Sequence, residues 1–560
     1  MKRKFFSVFI ACTCAIALLG GCSNSKDTTA EQTETNDNTE ITDTVQTEKE
    51  KTDYSYLLEE AVTIKLSDNM ITVDGETVSS DTAAAVYTAN DIVFYQEGQD
   101  FTYGEGTEAD EHSQEEADAH TVVHITEAGT YRLTGSLSAG QVAIDLGEDA
   151  EEDPNAVVNL ILDNVDITCN VAPAVIFYNV YECGSTDTET ATKDVDTSAA
   201  GANVFIAEGS ENNINGSYVA RIYKSVELND EGTEVVDSKK LHKYDGAFYS
   251  KMSMNVNAIY EGTGVLNITA ENEGLDSELH LTINGGNINI ESGNDGINTN
   301  EDEVSVTTIN DGVLNINVTG TTGEGDGIDS NGWLVINGGS VTAAACSTSG
   351  DAGIDSDMGI YINGGTVAAT GNMLDQIAGS EQTYVVFQFS GTQKGGNTYT
   401  LKSEDEVVAE CTPINDFTYF ILSSPGLKEG TYTFWCGSKQ LSGSASSYGM
   451  GGGMMKPDRA NGEMPEDMEM PEGMEIPEGG QMPEGRQMPA DGEMPEGMEM
   501  PEGEVPEGME MPTDGEMPAG GQGFGGGHGG MGGQTSGESS TDFVIVSGSN
   551  YFINVAEVTA

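Results

Sequence analysis

Leu281-Thr-Ile-Asn-Gly-Gly-Asn-Ile-Asn-Ile290 is the stretch that decides the fold. Two short runs of alternating apolar and polar residues flank an Asn-Gly-Gly corner. Alternation marks strands with one buried face, and Gly and Asn accept the positive φ that tight corners need. The phrase returns as Thr308-Ile-Asn-Asp-Gly-Val-Leu-Asn-Ile-Asn-Val318, Leu334-Val-Ile-Asn-Gly-Gly-Ser-Val341 and Ile360-Tyr-Ile-Asn-Gly-Gly-Thr-Val367. Between its copies runs a second phrase: Glu273-Gly-Leu-Asp-Ser277, Asp295-Gly-Ile-Asn-Thr299, Asp326-Gly-Ile-Asp-Ser330 and Ala352-Gly-Ile-Asp-Ser356. A degenerate earlier copy is Asp245-Gly-Ala-Phe-Tyr-Ser250. The anchors Leu275, Ile297, Ile328 and Ile354 stand 22, 31 and 26 residues apart.

One such unit cannot bury its apolar face alone, but stacked units can. Three short strands per unit predict an all-β chain, a parallel β-helix over about residues 129–380, with insertions at the corners. The rival, an antiparallel sandwich, calls for turns every 8–12 residues. Around this core we expect an N-terminal β-rich region over 54–128 and an irregular, polar lateral excursion over 173–244. A small aromatic-rich antiparallel β-domain is expected over 381–447. Phe543-Val-Ile-Val546 and Tyr551-Phe-Ile-Asn-Val555 should complete it as a hairpin-like pair, within 541–560. Between its two parts, Pro recurs every six residues from Pro465 to Pro501 in the phrase Met-Pro-Glu-Gly. This Met/Pro/Glu/Gly-rich stretch, 448–540, reads as a disordered insertion. Its thioethers could bind Cu(I), but a spacer is the simpler reading.

The chain opens with Lys2-Arg3-Lys4, an apolar run from Phe5 to Leu19, and Leu19-Gly20-Gly21-Cys22. The apolar run is too short to span a bilayer comfortably. The ending resembles a bacterial lipobox, which implies a signal peptide over 1–21, lipidation of Cys22 and tethering at the outer face of the cell membrane. The alternative is an ordinary cleaved signal with an incidental cysteine. Residues 22–53, polar and without apolar periodicity, read as a disordered tether.

The formal net charge of −72 repels nucleic acid and anionic lipid head groups, and favours divalent cations or neutral ligands. Part of it returns at fixed corners. Asp276, Asn298, Asp329 and Asp355 are equivalent positions, and Asp295, Asp326 and Asp351 precede their anchors. Stacked about 4.8 Å apart, such carboxylates repel unless a cation or hydrogen bonds intervene. Calcium, with six to eight oxygen ligands, suits them; an Asn/Asp ladder bonded to backbone amides is the alternative. Between Met252 and Gln393 there are 19 acids and no Lys or Arg. A uronate lyase needs a base there. Lys224, Lys239, Lys240, Lys243 and Lys251, with Arg221, all lie upstream. Abundant acids leave a glycosidase pair open but unspecific. Trp333 and Tyr361 point outward by alternation and could stack on a sugar, unless a loop or the small β-domain covers them. The cysteines show no CxxC spacing. Cys169 could pair with Cys183 and Cys411 with Cys436, and Cys346 reads as a buried small hydrophobe.

The run Ile125-Thr-Glu-Ala-Gly-Thr-Tyr-Arg-Leu-Thr-Gly-Ser-Leu137, then Val158-Asn-Leu-Ile-Leu-Asp-Asn-Val-Asp-Ile167 and the two recurring phrases, resemble a bacterial carbohydrate-binding β-helix family of surface lipoproteins. That family is akin in fold to polysaccharide lyase family 9. The resemblance covers about residues 120–445. It implies a right-handed parallel β-helix, calcium sites, and binding of plant cell-wall polysaccharide, glucan or pectin-like uronan, without established catalysis. Three readings follow: a non-catalytic, surface-tethered, calcium-dependent polysaccharide binder; a calcium-dependent pectate-type lyase; and a structural or adhesive surface protein with no glycan ligand.

Overall fold

The computed structural model describes residues 52–96, 99–229, 232–260, 262–446 and 538–558. Cys22, the tether and the Met-Pro-Glu tract lie outside them. The described chain is almost all β. Its helical pieces are short: Leu57–Glu60, Gln114–Asp118 with a capping box between Ser113 and Glu116, and the 3-10 turn Glu148–Glu152.

The chain visits three parallel ladders in rotation. The first runs through Val62–Leu66, Gly129–Leu137, Val158–Thr168, Ala202–Ile206, Met254–Ala258, Leu281–Ile283, Val306–Ile309, Trp333–Ile336, Gly359–Ile362 and Ile377–Ser380. The second takes the far halves of Gly129–Leu137 and Val158–Thr168, then Glu211–Gly216, Val265–Ala270, Asn287–Ser292, Val313–Val318, Ser340–Ala344 and Thr366–Gly371. The third joins Thr121–Ile125, Gly140–Ile144, Val175–Phe177, Gly246–Ser250, Glu273–Ser277 and Ile297–Thr299, continued by the Ile297–Ile328 bridge. Parallel pairing at the repeat spacing is therefore present, in sheets that stay open. The ladders also begin upstream of residue 129, at Val62 and Thr121.

Register stacks like on like. Leu160, Val204, Val256, Ile283, Ile309, Ile336 and Ile362 form one column of the first ladder, all fully buried. Each such side chain contributes roughly 1.5–3 kcal/mol by leaving water. The corner between the first and second ladders is held by a second device. Asn363 Nδ2 donates to Asn337 Oδ1, Asn337 to Asn310, Asn310 to Asn284 and Asn284 to Asn257, at 2.9–3.1 Å. Two residues beyond Asn284, Asn310, Asn337 and Asn363 stands a glycine with positive φ: at Gly339 (+74°) a Cβ would stand 2.8 Å from the carbonyl oxygen of Gly312.

The expected excursion over 173–244 is smaller than its composition suggested. Val175–Phe177, Ala202–Ile206 and Glu211–Gly216 are ladder strands within it, too short to stand out among polar neighbours. Two pieces leave the ladders. The segment 182–198 lies over the first ladder, where Thr197 Oγ1 donates to Asn255 Oδ1 and shares a second hydrogen bond with the hydroxyl of Thr282, and His280 Nε2 meets the carbonyl oxygen of Ser185. The antiparallel hairpin Val219–Leu228 and Val235–Tyr244 is the other.

The C-terminal part packs around Phe387, Phe389, Tyr399, Phe417, Phe420, Phe434, Phe543 and Phe552. Residues beyond the Met-Pro-Glu tract do return to it, but not as a hairpin. Phe543–Ile545 pairs with Gly430–Cys436, and Ser549–Glu557 lies between Tyr384–Gln393 and Lys439–Ser446. Neither of the two possible pairs is bonded: Cys169, Cys183, Cys411 and Cys436 are all free thiols. Cys411 and Cys436 flank Tyr399 on opposite neighbouring strands. Two strand spacings, about 9.6 Å, exceed the reach of a disulfide. Cys346 is buried as expected.

Candidate functional site

Asp276, Asn298, Asp329 and Asp355 occupy successive rows of the third ladder. Asp276 and Asn298 are register partners, the N–H of Asp329 donates to the carbonyl of Ile297 at 2.8 Å, and that of Asp355 to Ile328 at 2.7 Å. One step before each glycine stand Glu273, Asp295, Asp326 and Ala352, linked by the same ladder bonds. Asp351 is thus one place out of line with Asp326. It turns aside, and its Oδ2 accepts from the N–H of Gly325 at 2.7 Å and from Ser349 Oγ.

The rows bring three of these carboxylates together. Oxygens of Asp326, Asp329 and Asp355 lie within 4.8 Å of one another. Backbone donors fix the frame: Asp295 Oδ1 accepts from the N–H of Asp326 at 2.6 Å, and Asp326 Oδ1 accepts from that of Ala352 at 2.5 Å. Burial, with Asp355 and Asp295 beside it, pushes the Asp326 carboxyl up to about 10. Burial with Asp375 and Asp329 raises Asp355 to about 8, and burial with Asp329 raises Asp295 to about 7. Burial lifts Asp375 to about 6. Asp355 Oδ1 and Asp375 Oδ2 are buried without a hydrogen-bond partner. Such orphaned, mutually repelling hard oxygens fit a divalent cation such as calcium.

Asp276 stands apart, two rows away, with Oδ1 accepting from Asn300 Nδ2 at 2.8 Å. Asn298 Nδ2 donates to Asn300 Oδ1 at 2.9 Å, and its own buried Oδ1 has no hydrogen-bond partner. Asp375 escaped the sequence reading because it follows the last copy of the phrase, with no Gly-Ile after it.

A family model described as carbohydrate-binding domain-containing protein matches residues 119–408, more than half of the chain. The chain belongs to this family. No curated protein matches it. A solved structure described as a polysaccharide lyase-like protein from C. thermocellum, a gadolinium derivative, is similar at 16% identity. The match covers 57% of this chain and 93% of that one, with a TM-score of 0.29.

The span matched by the family model takes in the acidic cluster and both expected aromatic residues. Trp333 pairs in register with Gly359, and Tyr361 with Val335, so the two rings sit diagonally, one row apart. Both are half-buried. Tyr361 is covered on one side by the excursion, with Lys193 Nζ 5.2 Å from its ring centre, and it packs against Gly379. The open two-ring platform is therefore reduced to Trp333 and one edge of Tyr361.

Proposed function

We propose that this protein is a non-catalytic polysaccharide-binding protein, tethered at the cell surface through Cys22, in which Asp326, Asp329 and Asp355 hold calcium. The three ladders are then the faces of a right-handed parallel β-helix. The single observation that carries the calcium reading is the convergence of three carboxylate oxygens within 4.8 Å beside buried oxygens that lack partners. Membership of the carbohydrate-binding family carries the ligand class. Asp295, Asp351 and Asp375 frame the ion, while Asp276 and Asn298 extend the same column. Plant cell-wall glucan and pectin-like uronan are the polymers in view, and a bound cation could bridge to a uronate carboxylate.

The deciding experiment is a calcium titration by calorimetry on the wild type and on Asp329→Ala/Asp355→Ala, paired with retention on insoluble glucan and polygalacturonate. Heats that survive the double substitution would reject the site. No retention on any glycan would reject the binding reading. Growth of ultraviolet absorbance on polygalacturonate with calcium would make the protein a lyase instead. Loss of fatty-acid labelling in Cys22→Ser tests the anchor.

A further inference from the structure

We propose that a groove over the outer face of the third ladder is the saccharide subsite, and that it takes a neutral hexose chain in preference to a polyuronate. This rests on the carbohydrate-binding reading above and locates its ligand.

The outer column of the third ladder reads Tyr87, His124, Ala143, Ile176, Tyr249 and Asp276 in register. It is the same column that later carries Asn298, Asp329 and Asp355. At its early rows a groove of about 660 Å³ opens, within the size range of small-molecule sites. Its walls come from Asp91 and Val93, from the ladder, and from the hairpin through Lys224 and Tyr244.

The polar groups lining it are held in place by one another. His124 Nε2 meets Asp91 Oδ1 at 2.8 Å while its ring stacks on Tyr87, 4.4 Å between centres and 11° from parallel. Asp145 Oδ1 accepts from Asn179 Nδ2 at 2.8 Å and from the N–H of Gly147 at 3.0 Å. Lys251 Nζ donates to Glu151 Oε1 at 2.8 Å and Asn179 Oδ1 at 3.2 Å. Side chains already ordered lose little freedom when a ligand arrives. Tyr178, set edge-on to Tyr244 at 5.4 Å, gives the groove an aromatic wall. Fixed acceptors and donors beside an aromatic ring suit the hydroxyls and the apolar face of a pyranose.

The charge balance selects among sugars. Asp91, Asp145, Glu148 and Glu151 line the groove against Lys224 and Lys251, and Lys251 is already paired. A uronate carboxylate would meet a net negative wall, whereas a neutral hexose would not.

The test is calorimetry on the full chain with a neutral β-glucan oligosaccharide and an oligogalacturonate of equal length. We expect the neutral sugar to bind and Asn179→Ala to weaken it about tenfold or more, the loss of one to two good hydrogen bonds. Asp91→Trp, at an exposed rim position, should block binding while thermal melts still show a cooperatively folded protein, so that lost folding is not mistaken for a lost site. If both variants bind the neutral sugar as the wild type does, the groove is not the subsite, although the protein remains a carbohydrate binder. Preference for oligogalacturonate would overturn the neutral class. Failure on every soluble and insoluble glycan would instead remove the carbohydrate-binding reading itself.

Discussion

Asp295 is tied to Asp326 across one row of the third ladder: its Oδ1 accepts the backbone N–H of Asp326 at 2.6 Å. That bond holds a fourth carboxyl, itself buried, beside the three that converge, and it makes the cluster sensitive to protons. The raised values of Asp295, Asp355 and Asp326, about 7, 8 and 10, mean that the folded protein holds protons which the unfolded chain has released. Stability from these groups is fully present below about pH 4 and is lost as pH rises through the folded values. In chelator, the melting midpoint should fall between about pH 5 and pH 8. Asp326→Asn should shrink that fall. A flat profile in chelator would contradict the burial of these carboxyls.

Calcium should reverse the same trend. At a concentration of 100 times its dissociation constant it adds about 2.7 kcal/mol of stability, provided it binds only the folded form. The gain should grow with pH, because the ion displaces protons. Thermal melts with and without calcium at two pH values, on wild type and Asp355→Asn, measure it; the variant should lose most of the gain.

Asn310 both donates to Asn284 and accepts from Asn337. Asn310→Ala interrupts the chain of amides at its middle. Denaturant unfolding should show a loss of about 1 kcal/mol, small because the corner is exposed to water. By contrast, Ile309→Ala, one residue earlier and fully buried, should cost about 2–5 kcal/mol.

Gly339→Ala adds a methyl that would stand 2.8 Å from the carbonyl of Gly312 at a φ of +74°. We expect a cost of roughly 1–3 kcal/mol by the same denaturant method. Gly350→Ala, where a Cβ meets nothing within 4 Å, should be far milder.

Mass spectrometry of the oxidised protein should find the Cys411 and Cys436 peptides unlinked, because Tyr399 stands between them.

The parallel ladders were legible because the chain repeats itself: Ile283, Ile309, Ile336 and Ile362 are found by eye and stack in register. The acidic corner was legible for the same reason, since Asp329 and Asp355 share one phrase. What lacked a repeat was hidden. Asp351 looks equivalent to Asp326 until the ladder shows Ala352 in that place. Lys193 over Tyr361 joins residues 168 positions apart, and nothing local announces it. The groove was missed because Asp91, Asp145, Tyr178 and Lys251 come from four separate segments, and only the stacking of rows makes them neighbours.

The second ladder ends in a reversal. Its last strand, Thr366–Gly371, pairs antiparallel with Phe417–Ser423, which in turn carries Tyr384–Gln393. A stack of parallel rows left bare would offer its final edge to the first row of another molecule, and copies could join end to end into fibres. Turning the chain direction at this edge covers the open backbone with a strand of the wrong polarity for such growth. The aromatic C-terminal part therefore acts on this ladder as a stopper, keeping a fold built for endless extension at a finite length.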